Sequence, residues 1–310
     1  MSNTFTIICP TDFSECSLNA IEYAAKLGEF YQADLLLFHV LNKKDYEKLS
    51  PLDSKGFHQE EFIKEKMINL QQAVLKESLP KGLKSCLISY KNGKIVPTTL
   101  AETEHIKADM IVMGTEGTND LREHIIGSKT SKIVEEASTD VFVVPRKVFF
   151  KKPRKMVYAS DYLEEDKIAI QKVIEMAQFF DSEIDIVHVS STHKAIDKSL
   201  HKEMVNEITP FVKYDKVSFV LKSYRDDLAL GLENYLQTSK GDVLVTLSKK
   251  KSFLIRSSQK IFQKKWLISS ISHYGSSSLF NYFFLKIPWI KSLNSERVFG
   301  SVKSDPKVRK

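Results

Sequence analysis

Met113-Gly114-Thr115-Glu116-Gly117 and, nine residues further on, Gly127-Ser128 carry the chemistry this chain can offer to an anion. Glycine lets a backbone adopt φ > 0 and lets another group approach closely. The start of a helix adds unpaired N–H groups and the positive end of the helix dipole. Set between a strand and a helix, residues of these types form a seat for phosphate oxygens. Ser128 can cap the helix or offer its hydroxyl to a ligand, and Thr130 lies in the same first turn. Two turn glycines with a capping serine are the simpler reading of so short a motif, so the elements around it decide.

Residues 108–112 are a short apolar run rich in β-formers, and behind the glycines Ile133, Val134 and Ala137 recur at helical spacing. The glycines therefore close a strand and open a helix. Upstream the chain alternates in the same way. Residues 4–10 predict a strand, and Ala20, Ile21, Ala24, Ala25 and Leu27 predict a helix capped by Gly28. Residues 35–40 are a continuous apolar run of the kind buried in a parallel sheet. An amphipathic segment over 60–79, a strand over 83–90, a helix over 95–106 and a strand over 141–144 complete the pattern. Such alternation argues an α/β fold with a largely parallel sheet and right-handed crossovers. Asp12 follows the first strand, where a helix N-cap is its simplest role.

With 310 residues the chain has room for two domains. Its 42% hydrophobic and 27% charged content is that of a soluble globular protein. Cys9, Cys16 and Cys86 lack metal-ligand spacing and fit a reducing cytoplasm. No targeting segment is expected, and the longest apolar run, 279–290, contains Lys286 and is too short to span a bilayer. No membrane partner is therefore expected. The net charge of +7 comes from the tail beyond residue 250, where Glu296 and Asp305 are the only acidic side chains. Nucleic acid is not an expected partner outside that tail. The eight histidines are scattered; His39 and His188 read as packing residues.

The chain then repeats itself. Asp12 is matched by Asp161, and at the same offset His39-Val40 is matched by His188-Val189; residues 109–112 are matched by 242–245 at a shorter one. An internal duplication is the reading, with residues 1–147 as a first domain, 153–250 as a degenerate second and 251–310 as a basic, Ser-rich tail. The glycines are not repeated. Gly114, Gly117, Gly127 and Ser128 fall on Leu247, Lys250, Lys260 and Ile261, so one phosphate seat per chain is expected.

These features resemble a tandem universal stress protein. The resemblance rests on residues 7–15, reading Ile-Ile-Cys-Pro-Thr-Asp-Phe-Ser-Glu, on 33–40, and on 109–145 with the family's signature of Gly, two residues, Gly, nine residues, Gly and Ser or Thr. It implies two open, mainly parallel five-stranded sheets flanked by helices, of the adenine nucleotide hydrolase-like type, the second degenerate and truncated. The first and fourth strands would be neighbours at the switch point. By similarity Asp12 would meet the adenosine part of a nucleotide, with Pro10, Thr11, Val40 and Met113 shaping its pocket. Gly114, Thr115, Gly117, Gly127, Ser128, Lys129 and Thr130 would hold ribose and phosphates. The implied ligand is ATP or another adenine nucleotide, with or without Mg2+. Arg122, Glu123 and His124 read as a solvated loop, and neither a P-loop lysine motif nor paired carboxylates for two metals are recognisable. Slow hydrolysis at most is expected, from a cytoplasmic stress-response regulator whose output is a ligand-dependent shape or partner choice. The alternative is a non-catalytic interaction module, either a built-in pseudo-dimer of the two domains or a homodimer, in which nucleotide is incidental.

The tail fits neither copy. It reads as a basic arm for nucleic acid or an acidic surface, as a disordered extension, or as a displaced reading frame. The last is favoured: one permitted codon set for residues 255–281, read one base earlier, encodes a basic amphipathic helix and a short apolar strand. The second domain would then lack its fourth helix and fifth strand and would expose a sheet edge.

Overall fold

The computed structural model describes residues 4–41, 57–115, 127–145, 149–162, 166–190, 195–224, 228–248 and 283–288. A first unit runs β1 (Thr6–Pro10), α1 (Glu15–Tyr31), β2 (Asp34–Leu41), α2 (Phe57–Ser78), β3 (Ser85–Asn92), α3 (Ile95–His105), β4 (Met110–Gly114), α4 (Ser128–Glu136) and β5 (Asp140–Val144). A second follows as β6 (Lys155–Ala159), α5 (Asp166–Phe180), β7 (Glu183–Ser190), α6 (Ala195–Ile208), β8 (Val217–Ser223), α7 (Leu228–Ser239) and β9 (Val243–Ser248). From the tail comes one more strand, β10 (Phe283–Pro288).

The sheet order is β3-β2-β1-β4-β5-β10-β9-β6-β7-β8. Five parallel strands form the first set and four the second, and β8-β7-β6-β9 repeats the order β3-β2-β1-β4. Hydrophobic side chains of successive strand residues are buried on alternate faces. Ile7, Cys9, Leu35, Leu37 and Val112 share a cluster with α1, whereas Ile8, Leu36, Phe38 and Ile111 share one with Ile133 and Val134 of α4. Both faces of a parallel sheet are thus covered, which is why its strands read as unbroken apolar runs.

Two expectations change. Among the described residues the second unit's own run reaches β9, and the edge expected to lie open is paired. β10 runs parallel to β9, Phe283 opposite Val243 through Pro288 opposite Ser248, and antiparallel to β5, with Phe284 opposite Val143. An unpaired central edge would leave a row of N–H and C=O groups without partners, and the apolar segment at 283–285 supplies them. The fourth helix of the second copy falls outside the described residues.

Gly28 does not cap α1 either. The helix continues to Tyr31, and Gln32, at φ 49°, closes it by donating its N–H to the Gly28 carbonyl. A Cβ on Gly28 would stand 2.5 Å from Leu83 Cδ1, so this glycine serves close packing.

The two units meet through aromatic rings. Phe30 of α1 packs edge-on against Phe180 at 4.8 Å and Phe179 at 5.3 Å, and Tyr31 stacks on Phe179 at 5.1 Å. Each such pair adds about 0.5–1.5 kcal/mol beyond its burial. Beside them Lys172 of α5 donates to both carboxylate oxygens of Asp140, at 3.1 and 3.3 Å. Cys9, Cys16 and Cys86 are buried free thiols, and burial pushes that of Cys86 up to about 12. Among the described residues no helix is long and apolar enough to cross a membrane.

Candidate nucleotide site at the β1 and β4 ends

β1 lies between β2 and β4, with Ile7 opposite Met110 and Ile8 opposite Ile111. The chain leaves β1 toward β2 and leaves β4 toward β5, so strand order reverses between them. A crevice beyond the carboxyl ends of such neighbours is where open α/β sheets bind ligands. Pro10, Thr11, Asp12, Val40, Met113, Gly114 and Thr115 all come to this end of the sheet. Val40 and Met113 are buried there on the same face.

The turn after β1 is held from several sides. Thr11 donates its N–H to the Phe38 carbonyl at 2.8 Å, and its hydroxyl accepts the Phe13 N–H at 3.1 Å while bonding Ser17 Oγ at 3.0 Å. Phe13 takes a left-handed conformation, φ 62°, and its ring lies 4.8 Å from that of His39. His39 Nδ1–H donates to the Thr11 carbonyl at 2.7 Å, which fixes the proton on that nitrogen. His39 is buried as a packing residue would be, and it also ties β2 to the turn. Lys66 of α2 places its ammonium 5.3 Å from the Phe13 ring centroid.

Asp12 is not the N-cap. Ser14 is, its side chain accepting the Ser17 N–H at 3.2 Å, while Asp12 Oδ1 accepts the Ser14 N–H at 3.1 Å. One carboxylate oxygen thus closes the turn and orients the other. Ser17, His39 and Lys66 were not singled out for this turn from sequence. Hydroxyls at 11, 14 and 17, three apart around a helix start, are the signal that points to it.

The glycine side is equally tied. A Cβ on Gly114 would stand 2.6 Å from Cys16 Sγ and 2.9 Å from the Cys16 carbonyl oxygen, so α1 alone demands glycine there. Thr115 donates its N–H to the Val144 carbonyl at 3.1 Å, and Gly127 donates to the Thr115 carbonyl at 2.6 Å, drawing residues 115 and 127 together. The Thr130 hydroxyl donates to the Gly114 carbonyl at 3.0 Å. Ser128 does not cap α4: the N-cap is Gly127, and Ser128 is the first helical residue, exposed beside exposed Lys129. Amides in the first turn of a helix have no intrahelical acceptor, and those of α4 begin directly at the Thr115–Gly127 junction. Gly117, Arg122, Glu123 and His124 lie outside the described residues. Among the described residues no group of three His, Cys, Asp or Glu could hold a metal ion.

The second unit builds the same turn. Ser160 donates its N–H to the Val187 carbonyl at 2.9 Å, its hydroxyl accepts the Tyr162 N–H at 3.2 Å, and His188 Nδ1–H donates to its carbonyl at 2.8 Å. Tyr162, φ 59°, stacks on His188 at 4.0 Å and hydrogen-bonds His201 Nδ1 at 2.5 Å.

The model of the Universal stress protein family matches residues 4–145. One universal stress protein of Methanocaldococcus jannaschii is 26% identical over 155 residues, covering 46% of this chain and 94% of that protein. Another is 29% identical over 151 residues, covering 48% and 83%. The crystal structure of a universal stress protein from Archaeoglobus fulgidus has the same fold, with a TM-score of 0.67 at 16% identity over 92% of this chain and 99% of that one. Residues 4–145, the stretch that carries the Asp12 turn, Gly114 and Thr130, thus match the universal stress protein family.

Proposed function

We propose that the first unit binds an adenine nucleotide, ATP in the first instance, and that the chain acts as a stress-response regulator whose shape or partner choice follows occupancy. The observation that carries this reading is the adjacency of β1 and β4. It sets a carboxylate-bearing turn across from a glycine-bounded helix start. The two ends suit opposite chemistries: Asp12 accepts from amino or hydroxyl groups, while the first-turn amides of α4 and the Lys129 ammonium attract phosphates. Mg2+ would arrive with the phosphates. Pro10, Thr11, Val40 and Met113 would border the base, and Gly114, Thr115, Gly117, Gly127, Ser128, Lys129 and Thr130 the ribose and phosphates.

Calorimetry of ATP binding to the full chain and to Gly127→Glu tests it. Gly127 has φ −55° and ψ 147°, which any residue adopts, so the substitution probes the seat and not the backbone. A carboxylate at that point repels phosphate, and affinity should fall at least about tenfold. Equal binding by both chains, or none by the unaltered chain, would remove the reading.

We infer further that the chain is a tandem pair, domains at 1–147 and 153–250. Left-handed residues recur at matched positions: Phe13 at 62° and Tyr162 at 59°, Gln32 at 49° and Asp181 at 55°, Lys107 at 52° and Lys240 at 56°. Asp109 accepts the Thr6 N–H at 2.8 Å, and Asp242 accepts those of Arg154 and Lys155 at 2.8 and 3.2 Å. The aromatic seam and β10 favour a second reading, in which the two units form a built-in pseudo-dimer serving as an interaction module. Partner capture indifferent to ATP would select it.

A further inference from the structure

Both units tie the turn after their first strand to their second helix, and they do so with different chemistry. In the first unit Phe13 takes a left-handed conformation, which a bulky side chain adopts only under constraint. Its ring has His39 at 4.8 Å on record and the Lys66 ammonium at 5.3 Å from its centroid. The same ammonium lies 4.7 Å from the Phe62 ring, so one half-buried cation of α2 serves two rings. In the second unit Tyr162 takes the matching conformation, stacks on His188 and reaches His201 of α6 through its hydroxyl. A cation over a ring in one unit and a hydroxyl on an imidazole in the other join the same pair of elements. What recurs is the join.

Lys66 approaches the turn from the face of the sheet that α4 does not cover. Ile63 and Met67, on either side of it in α2, are buried in the cluster that holds Cys9 and Leu37. Ile133 and Val134 of α4 are buried on the other face, with Ile8 and Phe38. The sheet therefore stands between α2 and the helix whose first turn faces the phosphates in the nucleotide reading. Phe13, in contrast, is part of the Asp12 turn: its N–H is bonded to the Thr11 hydroxyl, and the next N–H, that of Ser14, is bonded to Asp12 Oδ1.

We propose that Lys66 is a positioning residue for the nucleotide site: by holding the Phe13 ring it fixes the turn that orients Asp12, without touching the ligand. The proposal rests on the nucleotide reading of the first unit, but its first test needs no ligand. In the full chain, hydrogen exchange at the Phe13 and Ser14 amides should quicken about two- to fivefold in Lys66→Met, the worth of one cation–ring contact at a half-buried site. Lys66→Arg keeps a cation over the ring and should restore the slower rate. Phe13→Leu removes the ring, so adding Lys66→Met to it should change nothing further. Calorimetry of ATP, and of adenosine by displacement of ATP, reads the consequence. Lys66→Met should weaken both by the same factor, about two- to fivefold, because the Asp12 turn serves the part of the ligand that both share. Weakening of ATP alone would make Lys66 a phosphate contact and overturn the proposal. Unchanged exchange in Lys66→Met, or an equal effect of that substitution with and without the Phe13 ring, would overturn it too. So would exchange that quickens across the whole chain in step with a lower urea midpoint, which is a loss of global stability. If the unaltered chain binds neither ligand, the nucleotide reading falls, and the exchange rates alone decide whether Lys66 holds the turn.

Discussion

Replacing Asp166 with Leu should lower the unfolding free energy by about 3–5 kcal/mol, the size expected when a buried, fully bonded carboxylate is deleted from among its donors. Asp166 is 1% exposed at the start of α5 and accepts the Tyr158 hydroxyl at 2.7 Å and the Ser160 hydroxyl at 2.6 Å. Both donors are buried as well. With Leu at 166, two hydroxyls lose their acceptor in a place water does not reach, at about 1–3 kcal/mol each. Asp166→Asn keeps one acceptor oxygen and should cost about half as much. The triple variant Asp166→Leu, Tyr158→Phe, Ser160→Ala removes the orphaned donors along with the carboxylate and should recover only part of the loss, since the Tyr162 N–H then loses the Ser160 hydroxyl as its acceptor. Urea unfolding of the four chains decides it. A single variant as stable as the unaltered chain would mean that water enters the cluster. The matching position in the first unit is Ser17, which shares a neutral bond with Thr11, so Ser17→Ala should cost only about 1 kcal/mol.

The second large effect is expected at Gly114. Its hypothetical Cβ meets Cys16 Sγ at 2.6 Å and the Cys16 carbonyl oxygen at 2.9 Å. A thiol can rotate, but a carbonyl in the first turn of a helix cannot without moving the helix. Gly114→Val should therefore destabilise by about 1–3 kcal/mol through overpacking. It should also loosen the Thr115–Gly127 bond that assembles the candidate phosphate seat. Combining Gly114→Ala with Cys16→Gly relieves the sulfur contact and leaves the carbonyl contact, so only part of the stability should return. The urea midpoint reports the first effect and ATP calorimetry the second. Stability lost with ATP affinity intact would separate this glycine from the seat.

Fold class was legible because parallel strands buried on both faces read as unbroken apolar runs, as at 35–38 and 110–113. The two matching turns were legible because one hydrogen-bonded turn needs a fixed spacing between its members: Asp12 with His39, and Asp161 with His188. What failed were roles set by partners distant in the chain. Gly28 resembles a helix stop until Leu83 is seen to press against it. Ser128 resembles a cap until Gly127 is pinned by Thr115 and takes that place. The contribution of His39 depends on the register of β2 against β1, which no local pattern reveals. β10 was invisible for the same reason: residues 283–288 become a strand because two edges, β5 and β9, stand on either side of them. At the candidate site, residue types bring Asp12 and Gly114 to neighbouring strand ends, but the packing of Gly114 against Cys16 could not be read from them.

The antiparallel pairing of β10 with β5 has a vectorial consequence. Since β10 runs with β9 and against β5, the carboxyl ends of the first set of strands lie at the amino ends of the second. The Asp12 turn and the Asp161 turn therefore lie at opposite ends of the strands, at least about one strand length apart, or roughly 17 Å for five residues. The sheet in that sense faces two ways, with one such turn at each end.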